Sequence, residues 1–129
     1  MSIWFRLLLV AVAGGIGAMC RYLVLLAVNA HGPWMGISTW IVNTLGCFII
    51  GVCAGWLLVS PWATPQREMF GLLLMTGFCG GFSTFSAFTL DCVKYFESGH
   101  IGIWVVFGAA TIFVGLLACA VGYWLGTKL

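Results

Sequence analysis

The stretch "GFCGGFSTFSAF", residues 77 to 88, decides how the chain is read. Gly77, Gly80 and Gly81 lead into Ser83, Thr84 and Ser86, and phenylalanines stand three apart at Phe82, Phe85 and Phe88. Glycine is a poor helix former, and an unpaired hydroxyl is costly in hydrocarbon. Three conformations accommodate such a segment. It can be a small-residue helix interface carrying an aromatic stripe, a kinked helix, or a break whose unwound backbone exposes N–H and C=O groups. A break at membrane depth is tolerated only where it is buried in protein or lines a polar cavity. Freed carbonyls would then coordinate a cation, as half-helix ends do in transporters. The electropositive edges of the phenylalanine rings would face a small dehydrated anion.

The surroundings place this stretch in a membrane. Of 129 residues, 63% are hydrophobic and only 6% charged, well below the charge density of a soluble domain. No Asp, Glu, Lys or Arg occurs from Tyr22 to Gln66, from Met69 to Leu90, or from Ser98 to Thr127. A helix needs roughly 20 apolar residues to cross the hydrocarbon core, which predicts spans over 3–28, 36–59, 69–90 and 102–126. The first apolar run continues past Arg21 and reads as a structural helix rather than a cleaved signal peptide. Pro33, Pro61 and Pro65 fall in the short connections, where a missing N–H does no harm. These connections leave no room for an extramembrane catalytic domain, so an enzyme is not expected, nor a nucleic-acid partner. The expected setting is a multi-pass protein of the inner (plasma) membrane.

Polar groups at membrane depth are expensive and therefore informative. The deep inventory is Arg21, Thr39, Asn43, Thr44, Thr76, Ser83, Thr84, Ser86 and Thr111, with Asp91 placed at the end of the third span. Hydroxyls and an amide donate hydrogen bonds to an anion without presenting negative charge. Thr44 and Thr76 read as bonds between helices. Thr39 and Asn43, one helical turn apart, form either a polar stripe lining a narrow path or further interhelical bonding. The six cysteines form no CxxC pair and read as small packing residues. His31 and His100 read as solvated interfacial side chains.

Charge placement is only weakly polarised. Arg6, Arg67 and Lys128 gather on one side, against Lys94 on the other, with Arg21 inside the first span. The positive-inside rule reads this either as cytoplasmic termini or as dual topology with copies paired antiparallel. An oligomer is expected on both readings.

The motifs "GGIGAMCRY" (Gly14 to Tyr22), "VNTLGCFIIG" (Val42 to Gly51) and "GFCGGFSTFSAF" occur in an order and spacing that resemble the CrcB/Fluc fluoride channel family. The resemblance spans essentially the whole chain. It implies an all-α integral membrane protein of four transmembrane helices, the third broken in the middle, assembled as an antiparallel dual-topology homodimer. It further implies passive, fluoride-selective export that relieves fluoride toxicity. A structural sodium ion at the dimer interface, held by backbone carbonyls, is implied as cofactor. Carried over by position, the pore asparagine falls on Asn43 with Thr39 a turn away, and the aromatic positions on Phe85 and Phe88. Ser86 and Thr111 continue the hydroxyl track, the sodium-facing carbonyls fall on Gly80 and Ser83, and Arg21 falls on a structural or vestibule arginine. The chain departs from the family pattern at Ala87, which replaces a hydroxyl, and at Phe107, which replaces a tyrosine. Two other classes share the size: a small multidrug-resistance-type exchanger, disfavoured by the lack of a carboxylate in the first span, and an assembly subunit without transport.

Overall fold

The computed structural model describes residues 1–32 and 36–129; Pro33, expected in the first connection, lies outside the described residues. In chain order the elements are α1 (Ile3–Asn29), α2 (Ile37–Val59), α3 (Thr64–Phe70), a π-helix (Gly71–Cys79), the single turn α4 (Gly80–Phe82), α5 (Phe85–Glu97) and α6 (Ile101–Gly126). Four helical stretches among the described residues are long and apolar enough to cross a membrane, the third being the composite Thr64–Glu97. The expected fold class of four transmembrane helices, the third interrupted, is the observed one.

Local chemistry sets the ends. Ser2 caps α1, its hydroxyl accepting from the Phe5 amide at 3.4 Å. Gly36 enters α2 with φ +80, and a Cβ there would crowd the Phe107 ring. Ser60 ends α2 in an extended conformation, as the Pro61 ring that follows requires. Pro65 sits in the first turn of α3, where its fixed φ suits a helix start.

The third span differs from the expected 69–90 at both ends. It begins at Thr64 and continues to Glu97, a run of 34 residues. At about 1.5 Å per residue this exceeds the roughly 30 Å hydrocarbon core, so its ends reach the headgroup layers. The first charged residue marks where hydrocarbon-compatible sequence stops, not where the helix stops. Asp91 is therefore not a terminal residue: it lies inside α5 and is buried.

Packing is by backbone approach more than by side-chain interlock. α2 packs mainly against α6, and α1 against the π-helix and α4. A Cβ at Gly51 would collide with the Cys119 carbonyl, and one at Gly122 with the Phe48 carbonyl. The same holds for Gly17 against Phe78 and Gly81 against Gly14. Small residues let membrane helices come this close, where dispersion and weak Cα–H···O contacts replace the hydrophobic effect. Two helix pairs joined this way hold α2 beside the interrupted third span.

Candidate functional site

The break lies at Ser83 and Thr84, both extended, with φ/ψ of −86/160 and −152/118. No proline causes it. Thr84 caps α5 by accepting from the Ala87 amide at 3.3 Å, which gives the chain a competing local partner. Across the bundle, Asn43 of α2 engages both backbone groups of Thr84. Its Oδ1 accepts from the Thr84 amide at 2.7 Å, and its Nδ2 donates to the Thr84 carbonyl at 3.0 Å. An amide side chain thus stands in for the helical bonds that the break gives up.

The break leaves the carbonyls of residues 80–83 without their i+4 helical donors, Gly80 and Ser83 among them. The Thr84 amide, which a continuous helix would give to the Gly80 carbonyl, goes to Asn43. The Ala87 amide, which would go to the Ser83 carbonyl, goes to the Thr84 hydroxyl. Ser83 itself still bonds back to the Cys79 carbonyl, through its amide at 3.0 Å and its Oγ at 2.9 Å. Carbonyl oxygens are the ligand type a hard cation takes. Among the described residues no group of three or more His, Cys, Asp or Glu side chains is placed to hold a metal.

Two cavities flank the break. The larger, about 380 Å³, is lined by Asn43, Ser83, Thr84, Phe85, Phe88 and Thr111, with Cys47 and Cys119 among its other walls. The smaller, about 270 Å³, is lined by Arg21, Ser38, Thr39, Thr84 and Ala87 among others. Thr84 is the residue common to both walls. Phe85 is 75% exposed on the protomer surface, whereas Phe88 is 7% exposed. Their ring centroids are 5.7 Å apart, and Phe88 continues to Phe107 at 5.8 Å and Phe107 to Tyr95 at 5.4 Å.

The structure thus brings Asn43, Phe85, Phe88 and Thr111 to one cavity and puts Thr39 and Arg21 in the other. Thr39 and Asn43 do not line a common stripe. The Thr39 hydroxyl donates to Asp91 Oδ2 at 2.6 Å, a buried pair that ties α2 to α5. Thr111 donates to the Phe107 carbonyl at 2.7 Å, so it presents lone pairs rather than a proton to the cavity. Ser86 lies outside both cavities, 3.0 Å from the Thr84 hydroxyl and exposed. Gly80 is exposed on the protomer surface. Arg21 is half-buried, and the one ion pair among the described residues is Arg6 with Glu68 at 2.8 Å, so its charge is not compensated by a neighbouring carboxylate.

Asp91 and Thr44 differ from expectation. Asp91 is a buried carboxylate inside the third span, so the deep polar inventory is not free of acid. Thr44, read as an interhelical bond, has a buried hydroxyl with no partner among the described residues. Cys47 and Cys119 pack at the α2–α6 contact, as expected of small residues, and also reach the larger cavity. Thr84, one of the deep hydroxyls, is the residue at which α5 begins, and a threonine directly before an apolar helical run is a helix-start signal. Beyond the glycines of 77–88, Gly122/Gly126 also carries the small-xxx-small spacing of a close helix contact.

The fold is a four-span membrane bundle with a side-chain-held break and a cavity on either side of it. The comparisons are specific. The family model described as "CrcB-like protein, Camphor Resistance (CrcB)" matches residues 8–123. A protein of Rhizobium etli named "Fluoride-specific ion channel FluC" is 43% identical over 116 residues, 89% of this chain and 90% of the relative. Proteins bearing that name in Azobacteroides pseudotrichonymphae and in Hydrogenobaculum sp. are 36% and 37% identical, each over 92% of this chain and covering 93% and 95% of their own lengths. The chain belongs to the CrcB family, and it is a multi-pass protein of the cell membrane.

Proposed function

We propose that the chain is a passive, fluoride-selective channel that lets the ion leave the cell across the membrane. The observation that carries this reading is the bidentate hold of Asn43 on Thr84 at the junction of the two cavities. Fluoride is small and strongly hydrated, and its passage requires that water be replaced by fixed donors. Asn43 Nδ2 carries two hydrogens, one of which is committed to Thr84; the other is available to an anion. The rings of Phe85 and Phe88 line the same cavity, and their electropositive edges tolerate a partly dehydrated anion. Arg21 at the smaller cavity supplies an uncompensated positive charge that concentrates anions at its mouth.

The active form on this reading is an antiparallel, dual-topology homodimer with two pores. The near balance of Lys and Arg between the two sides supports dual insertion. The exposure of Phe85 and Gly80 leaves part of the site for a second copy to complete. A sodium ion at that interface would be held by the Gly80 and Ser83 carbonyls, which the break deprives of their helical donors. Bound there, it would supply positive charge that pins the break. Asp91 is the observation that favours a small multidrug-resistance-type exchanger, but it is bonded to Thr39 and lines neither cavity.

The test is efflux from liposomes holding the purified protein, followed with a fluoride electrode and compared with chloride. Fluoride release without chloride release is expected. Equal release of both ions would contradict the proposal.

A further inference from the structure

Cys47 of α2 and Cys119 of α6 reach the larger cavity from different helices, and the proposed path uses neither. Both are free and half-buried. α2 and α6 run in the same direction, because one out-and-back passage of the chain separates them. Their facing register is set by backbone contact at Gly51 against Cys119 and at Gly122 against Phe48. Gly115, one turn before Cys119, lies opposite Cys47: a Cβ there would come within 3.3 Å of the Cys47 sulfur. Gly51, one turn after Cys47, lies opposite Cys119. The Cys47 thiol therefore faces Gly115 and the backbone of Cys119 abuts Gly51, so neither glycine puts a side chain between the two cysteines.

Soft thiolate pairs select soft metal ions. A tetrahedral zinc site needs further ligands, and no group of three or more suitable side chains exists among the described residues. We infer that Cys47 and Cys119 form a two-thiolate site, open to the permeation cavity, for a thiophilic two-coordinate cation such as Hg²⁺. On binding, two S–H bonds break, two S–Hg bonds form, and two protons pass to water, with no change in oxidation state. The product is a neutral S–Hg–S bridge that ties α2 to α6 and occupies the cavity beside Asn43 and Phe85. The bridge stands independently of what the cavity conducts; only its effect on flux rests on the fluoride reading.

The full-length protein in detergent is titrated with HgCl₂ and then treated with excess monothiol, and retained metal is counted. A mercury held by one sulfur exchanges with the monothiol far more readily than one held in a bridge. Wild type is expected to retain one Hg²⁺ per chain, while C47S, C119S and C47S/C119S retain none. C20S and C92S, whose sulfurs lie outside this cavity, keep the wild-type value. C47A and C119A repeat the test should the serine variants fail to assemble. In liposomes, Hg²⁺ should remove most of the wild-type fluoride efflux and leave C47S/C119S at its own starting rate. Complete loss of mercury from wild type, or equal retention by the double variant, would overturn the site. Retained mercury in a protein that passes no fluoride would instead sink the channel reading alone.

Discussion

Asn43 Nδ2 donates to the Thr84 carbonyl at 3.0 Å while Asn43 Oδ1 accepts from the Thr84 amide at 2.7 Å, so one side chain satisfies both backbone groups at the helix break. The consequence reaches beyond local structure. Thr84 is the wall that the two cavities share. Whatever fixes Thr84 fixes the geometry at which one cavity meets the other.

Asn43→Asp keeps an acceptor for the Thr84 amide but turns a carboxylate oxygen toward the Thr84 carbonyl. A buried group left without its donor costs about 1–3 kcal/mol, and the added negative charge is poorly screened beside an anion path. Fluoride efflux per dimer should fall to background, with a lowered unfolding temperature. Near-native efflux from this variant would remove Asn43 from the account.

Phe85→Ile and Phe88→Ile separate ring chemistry from packing. Apolar swaps of similar volume usually cost under about 1.5 kcal/mol, so both variants should assemble. Phe85 is largely exposed and should be the milder change for stability; Phe88 packs against Phe107 and should be the harsher one. Flux should collapse in both, because an aliphatic wall offers a dehydrated anion no electropositive edge. Unchanged efflux, normalised to dimer content, would make these rings ordinary packing.

The glycine contacts predict a sharp positional contrast. Gly122→Ala would drive a methyl into the Phe48 carbonyl, whereas Gly102→Ala and Gly71→Ala meet nothing within 4 Å. Overpacking of this kind costs roughly 1–3 kcal/mol, while alanine at an open helical position is neutral or gains up to about 1 kcal/mol. Thermal unfolding in detergent should rank Gly122→Ala well below the other two. Equal stabilities would mean that α2 and α6 do not pack through their backbones.

Much of this was legible in the sequence, and the failures share a cause. The spans follow from the long uncharged runs, and the interruption from the glycines and hydroxyls at residues 77–88. Asp91 was misplaced because hydropathy detects where hydrocarbon ends, and α5 continues for two turns beyond that point. Thr39 and Asn43 share a face of α2, yet α5 intervenes and claims the Thr39 hydroxyl. Helical spacing reports which residues point the same way; it does not report what the neighbouring helix puts in front of them. The π-helical run from Gly71 to Cys79 carries no sequence signal beyond its glycines; it packs mainly against α1.

Dual topology is tested by charge. Adding several lysines to one set of connections should force a single orientation through the positive-inside rule. Efflux should vanish from each forced version and return when the two opposite versions are coexpressed. Full efflux from one forced orientation would exclude the antiparallel dimer.

The central claim is that fluoride moves passively and alone. It is tested most directly by the zero-current voltage of the reconstituted protein in a planar bilayer, with a tenfold fluoride gradient and equal pH on both sides. A fluoride-selective pore should shift that voltage by about 59 mV, the value for one elementary charge, and a chloride or proton gradient should leave it unmoved. A zero-current voltage that follows the proton gradient, or that collapses when chloride is added, would contradict the account.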